Sequence, residues 1–229
     1  MESTGRAAVA EFVATFALVF IGASAVILNA AGVLDLTGVA LAHGLVLAIM
    51  VSVTAHISGG LVNPAVTAAL WVAGKVSTPR AIVLVVAELL GAVAAAFLVK
   101  FLFPGTSFDA GGGGAAVLNP QIASGKGIVL EAVGTFFLVF AVFGTAVDDR
   151  GPFAKTAGFT IGLVIAFDIM AFGPLTGAAM NPARWFGPAL AAGMWDDWFV
   201  WIVGPLAGAI VAAVLYSMVF LREQQPATP

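Results

Sequence analysis

The chain contains no cysteine, so it has neither a disulfide framework nor thiolate chemistry. With only two histidines and no cysteine, it offers little for a transition-metal site. Charge is scarcer still. Only 9% of residues are charged, against roughly 25% in an ordinary soluble domain. A net charge of -3, carried by scattered residues, excludes a nucleic-acid partner. There is no cofactor motif, no metal-ligand cluster and no nucleophile–base pair at readable spacing. Neither an enzyme nor a bound cofactor is therefore expected.

What is present is apolar. Hydrophobic residues make up 61% of the 229, and the mean hydropathy is +1.09. Such a chain cannot cover a water-facing surface, so the lipid bilayer is its medium. Crossing a hydrocarbon core of about 30 Å takes about 20 apolar residues. Six stretches qualify: 8–30, 38–57, 80–103, 127–147, 156–174 and 198–221. The first is long enough to span and carries Glu11 within it, so it reads as a retained helix rather than a cleaved signal. Two further apolar runs, 63–73 and 181–191, are too short, since ten helical residues rise only about 15 Å.

The chain repeats itself. EFVATFALVF at 11–20 matches EAVGTFFLVF at 131–140, including an intramembrane glutamate. GLVLAIM at 44–50 matches GLVIAFD at 162–168, and LGAVAAAFL at 90–98 matches AGAIVAAVL at 207–215. Each half, 8–103 and 127–221, thus holds three spans and one short segment. An odd number of spans forces the second half to enter from the opposite face, giving an inverted repeat within one channel domain, 1–229. Residues 104–126 link the halves on the outer side and read as a Gly-rich, irregular crossing. A phosphate loop is excluded there because no Lys-Ser/Thr follows in frame. With six spans, both termini share a side with Arg6, Lys75, Arg80, Arg150, Lys155 and Arg222, while Lys100 and Lys126 lie opposite. The positive-inside rule then places the termini in the cytoplasm. A prokaryotic inner membrane is favoured over a eukaryotic internal one.

Each short segment opens on Asn-Pro-Ala: Asn63, Pro64 and Ala65 in the first half, and Asn181, Pro182 and Ala183 in the second. Asn suits an N-cap, and Pro suits the first helical position, where a missing N–H costs nothing. A single copy reads as an ordinary capped helix start. Two copies at equivalent places of an inverted repeat imply half-helices meeting N-terminus to N-terminus at the midplane. Each N-terminus carries about half a positive charge, so the pair repels cations, protons included. The capped Asn side chains can still donate to a neutral solute.

These boxes, their HISGG and LTGAAMNPAR contexts, the glutamate-bearing first helices and the FGPAL tail resemble the aquaporin (major intrinsic protein) family over essentially the whole chain. The resemblance implies six tilted helices plus two half-helices, a homotetramer with one pore per subunit, and passive transport of water. By motif position it implies an outer constriction formed by His43, Ile169, Ala178 and Arg184, a set similar to that of the plant tonoplast intrinsic members. Strict water channels of the family carry Phe in place of His43. Its loss here implies a wider opening that also passes ammonia, hydrogen peroxide or urea. A glycerol facilitator is the alternative, but such relatives carry Asp after the arginine, where this chain has Trp185. The bland reading of Trp185 is packing under the half-helix.

The remaining polar residues need partners in the membrane. An unpaired buried carboxylate costs several kcal/mol. Glu11 and Glu131 read as braces for backbone N–H groups of the box loops, and a proton relay would defeat a channel that excludes protons. Glu88 is expected to brace similarly or to sit protonated. Asp168 precedes Ile169 and so points about 100° from it on a helix, toward a bracing contact or, less simply, a pH-sensitive role. By its motif context His56, before the first box, is expected at the cytoplasmic pore mouth or on the adjoining loop, as a structural hydrogen-bonding residue or a gate. A different class, the ion-coupled secondary transporter, would use Asp168 and Glu88, but the paired boxes and Arg184 repel the cation it must bind. A weakly conducting junction protein is a third reading.

Overall fold

A computed structural model describes residues 4–151 and 154–221. Among the described residues every regular element is helical. This is the expected solution for a membrane chain, because a helix satisfies its own backbone where no water can. The six membrane-length helices are α1 (Thr4–Ala30), α2 (Leu36–Thr54), α4 (Thr78–Leu102), α6 (Ser124–Val142), α7 (Ala157–Thr176) and α9 (Val200–Tyr216). A π-helical turn extends α6 to Val147 and another extends α9 to Leu221. The two short segments are α3 (Pro64–Val72) and α8 (Pro182–Ala192). Six spans and two half-helices thus agree with the sequence reading, with boundaries shifted by a few residues. Arg222 lies outside the described residues.

The connection at 104–126 is more ordered than its glycines suggest. It forms a short helix, α5 (Gly105–Ala110), then a tight turn at Gly112–Gly114, and α6 already starts at Ser124. Phe108 of α5 is buried, and Lys100 lies over its ring at 5.6 Å.

Helix pairs α1–α4, α2–α7 and α6–α9 make the broadest contacts. Small residues permit this, since lipid provides no hydrophobic drive between helices and close backbone approach must supply the attraction. A side chain at Gly44 would strike the Gly162 carbonyl, and one at Gly162 would strike that of Gly44. Gly91 sits against the Phe12 carbonyl and Gly208 against that of Ala132. Gly91 and Gly208 are equivalent positions of the repeat, so both halves use the same device. The half-helices pack across the halves: α3 against α9, and α8 against α4.

On the side of the N-terminal end of α1, the ends of α6 and α9 are tied together. Asp148 accepts from Arg150 Nε at 2.9 Å and Nη2 at 2.7 Å, and from the Tyr216 hydroxyl at 3.1 Å. Arg150 Nη2 also donates to the Phe220 carbonyl at 2.7 Å. The Arg150 hydrogen bonds hold the Asp148 carboxyl well below the usual carboxylate range.

Candidate functional site

Both half-helices start as their sequences dictate. Asn63 and Asn181 occupy the N-cap in extended conformation, with φ of -159° and -154°. Asn63 Oδ1 accepts from the Ala65 N–H at 2.9 Å. Asn181 Oδ1 accepts from Ala183 at 2.9 Å and Arg184 at 3.1 Å. Pro64 and Pro182 take the first helical position. The amide nitrogens then cross between halves: Asn63 Nδ2 donates to the Met180 carbonyl, and Asn181 Nδ2 to the Val62 carbonyl, each at 2.8 Å. The two helix starts are therefore tied directly to one another.

The residue before each Asn is strained. Val62 has φ 55° and Met180 φ 49°, the left-handed region that non-glycine residues, β-branched or bulky ones above all, rarely enter. Such strain costs on the order of 1–3 kcal/mol and needs support. The buried glutamates give it. Glu11 accepts from Leu61 N at 2.9 Å and Val62 N at 2.6 Å. Glu131 accepts from Ala179 N at 3.1 Å, Met180 N at 2.7 Å and the Thr176 hydroxyl at 2.7 Å. Each carboxylate gathers consecutive backbone donors that no helix could satisfy. Glu88 braces differently: it accepts from the Thr67 hydroxyl at 2.7 Å and so fastens α3 to α4, while its Oε2 is buried without a hydrogen-bond partner among the described residues.

Arg184, on the first turn of α8, is 3% exposed. Its Nε donates to His43 Nε2 at 3.0 Å and its Nη1 to the Gly114 carbonyl at 2.9 Å. His43 Nδ1 lies 2.8 Å from the Val39 carbonyl, which can only accept. The imidazole therefore carries its proton on Nδ1 and offers a bare Nε2 to the guanidinium. His43 is fixed in the neutral tautomer by its two partners. Gly114 is positioned by a conformation only glycine takes easily, with φ 76° and no room for a side chain against the Ala23 backbone.

One cavity of about 830 Å³ runs from His43, Ala178 and Arg184, past Asn63 and Asn181, to His56, Lys75, Arg80 and Lys155 at the other end. It thus brings together three of the four expected constriction residues, both capping asparagines and His56. Ile169 is buried in α7 but is not on the cavity wall. Asp168 is also buried and off the wall, and the expected bracing contact is missing: among the described residues its Oδ2 has no hydrogen-bond partner.

Trp185 packs as the bland reading anticipates. Its ring stacks on Trp201 at 5.5 Å and meets Trp195 edge-on at 5.7 Å, while Trp201 Nε1 donates to the Thr176 carbonyl at 2.9 Å. The indole pair thus supports the same loop that Glu131 braces. Sequence reasoning missed Gly114, Thr176 and Lys100, whose Nζ donates to the Ala191 carbonyl at 2.6 Å near the end of α8. Only Thr176 carried a signal, as part of the LTGAAMNPAR context.

The model of the family described as "Major intrinsic protein" matches residues 2–216. The chain belongs to the major intrinsic protein family. Among similar aquaporins, "Aquaporin TIP4-4" of Zea mays is 42% identical over 225 residues, covering 95% of this chain and 88% of that protein. "Aquaporin TIP2-1" of Arabidopsis thaliana is 40% identical over 232 residues, covering 96% and 89%. Among solved structures, the aquaglyceroporin from Plasmodium falciparum superposes with a TM-score of 0.85 at 26% identity, covering 96% of this chain and 98% of that one. In this member of the family the arginine beyond the second Asn-Pro-Ala box is held from two sides, by a span histidine and a loop carbonyl.

Proposed function

We propose that the protein is a passive channel for water that also passes small neutral solutes such as ammonia, hydrogen peroxide or urea, and excludes protons and cations. The observation that carries this reading is the buried Arg184 on the wall of a cavity whose midpoint is ringed by the N-termini of two half-helices. A fixed guanidinium and two facing positive helix ends repel a cation, while their N–H groups can still serve a neutral hydrogen-bonding molecule. In this reading His43, Ala178 and Arg184 form the constriction, without the Ile169 that the family pattern adds, Asn63 and Asn181 are the midpoint donors, and residues 8–103 and 127–221 are the two halves of one domain.

The likeness to an aquaglyceroporin keeps glycerol in view, and Trp185 directly after Arg184 sets this chain apart from the glycerol pattern. The ion-coupled transporter has less support, because Glu88 is engaged by Thr67 and Asp168 is off the cavity wall. By family likeness the protein assembles as a homotetramer, and by the basic residues its termini face the cytoplasm. The plant relatives fit an internal eukaryotic membrane better than the prokaryotic inner membrane that the sequence alone favoured.

The test is stopped-flow light scattering on proteoliposomes, with urea and sucrose gradients of equal osmolarity. Fast shrinkage in sucrose with quick re-swelling in urea supports the wider neutral-solute pore. Fast shrinkage in both, without re-swelling in urea, restricts the channel to water. No acceleration over empty vesicles rejects the channel.

A further inference from the structure

The cavity changes character along its length. At one end a single cation, Arg184, is engaged by His43 and Gly114. At the other, its wall carries Lys75, Arg80 and Lys155, with His56 alongside. Among the described residues, no carboxylate lines any part of it.

These basic groups arrive from separate segments. Lys75 follows α3, Arg80 lies in the first turn of α4, and Lys155 lies in the short turn before α7, in the other half of the repeat. A bias that puts cations on one membrane face does not require three of them, from separate segments, to line one cavity. Arg150, on the same face, is spent on Asp148. Neither Lys75 nor Lys155 has an ion-pair partner among the described residues, and Arg80 contributes one Nη2 bond, at 3.2 Å, to the Ser58 carbonyl. Like charges around a low-dielectric opening repel one another and raise the local positive potential, which concentrates anions there. Water and neutral solutes need no such potential.

We propose that this inner vestibule is a binding site for a small oxyanion of the phosphate class, and that the bound anion obstructs the inner entrance of the pore. The inference goes beyond the channel reading and rests on it for the obstruction. A phosphate carries several acceptor oxygens and more than one charge, which matches ammonium and guanidinium groups converging from different segments. The phosphate can be free in solution or borne on the headgroup of an anionic lipid at the membrane surface.

The experiment uses the full chain in vesicles of neutral lipid, with chloride or inorganic phosphate on both sides at equal ionic strength. Water permeability in phosphate is expected to fall by about two-fold or more. The double variant Lys75→Gln, Lys155→Gln, normalised to its own value in chloride, is expected to lose that sensitivity; Arg80 is left intact because it holds Ser58. A second arm keeps chloride and adds phosphatidic acid to the vesicles. A response there alone assigns the anion to lipid headgroups, and a response to free phosphate alone assigns it to solution. Phosphorus NMR linewidths of inorganic phosphate with the detergent-solubilised protein report binding without any flux. No flux in chloride, with broadening that the double variant abolishes, rejects the channel reading and keeps the site. Broadening without any loss of flux keeps the site and overturns the obstruction. Equal phosphate sensitivity in the double variant, or no response to free phosphate, phosphatidic acid and NMR alike, overturns the proposal.

Discussion

Asn63 and Asn181 each hold the backbone just ahead of the other: Asn63 donates to the Met180 carbonyl and Asn181 to the Val62 carbonyl. The two half-helices therefore behave as one interrupted element, and the strained residues before each Asn are clamped from both halves at once. Replacing Asn63 with Ala removes a cap and leaves a buried carbonyl unpaired. The expected destabilisation is about 2 kcal/mol, read as a lower Tm in detergent, together with a measurable proton leak in dye-loaded vesicles. An unchanged Tm would show that the cross-connection carries no weight.

Glu131→Gln keeps the shape of the brace but replaces one acceptor oxygen with an amide that donates. It then faces the Ala179 or Met180 N–H with a second N–H. Loss of about 2–3 kcal/mol is expected, with water permeability falling alongside it. Glu11→Gln should behave alike, because it meets Leu61 and Val62 in the same way. Full permeability in both variants would reject the bracing role.

His43→Phe takes the acceptor from Arg184 Nε and puts an aromatic wall in its place. Permeability to urea and ammonia relative to water is expected to fall about ten-fold, a difference of about 1.4 kcal/mol. If both ratios stay at the wild-type value, His43 does not set the solute range.

Trp185→Ala removes a buried indole from its stack on Trp201. A cost of about 3–5 kcal/mol is expected, with Trp185→Phe much milder. Because Trp185 is not on the cavity wall, the urea-to-water ratio of whatever folded protein survives should match wild type. A changed ratio would show that the indole acts on the pore.

The Asp148 carboxyl is held below its ordinary range in the folded protein by Arg150. Its contribution is therefore present above the ordinary aspartate range and lost as pH falls below it. Thermal stability measured down a pH series should drop in acid more steeply for wild type than for Asp148→Asn, which starts lower and lacks this titration. Parallel curves would remove the latch between the ends of α6 and α9.

Much of this protein was legible in its sequence because the bilayer acts on local pattern. A span must be long and apolar, a half-helix must be short and capped, and an odd number of spans per half must invert. Glu11 and Glu131 could be assigned as braces because a buried carboxylate needs donors, and the box loops are the nearby source of unpaired N–H groups. The remainder depended on groups far apart in sequence whose meeting no local pattern encodes. Only the tertiary structure set Gly114 as the second partner of Arg184, fixed the tautomer of His43, stacked Trp185 on Trp201, and left Asp168 and Ile169 off the cavity wall. Helix rotation and close backbone packing decide those contacts, and both emerge only when all the spans are in place.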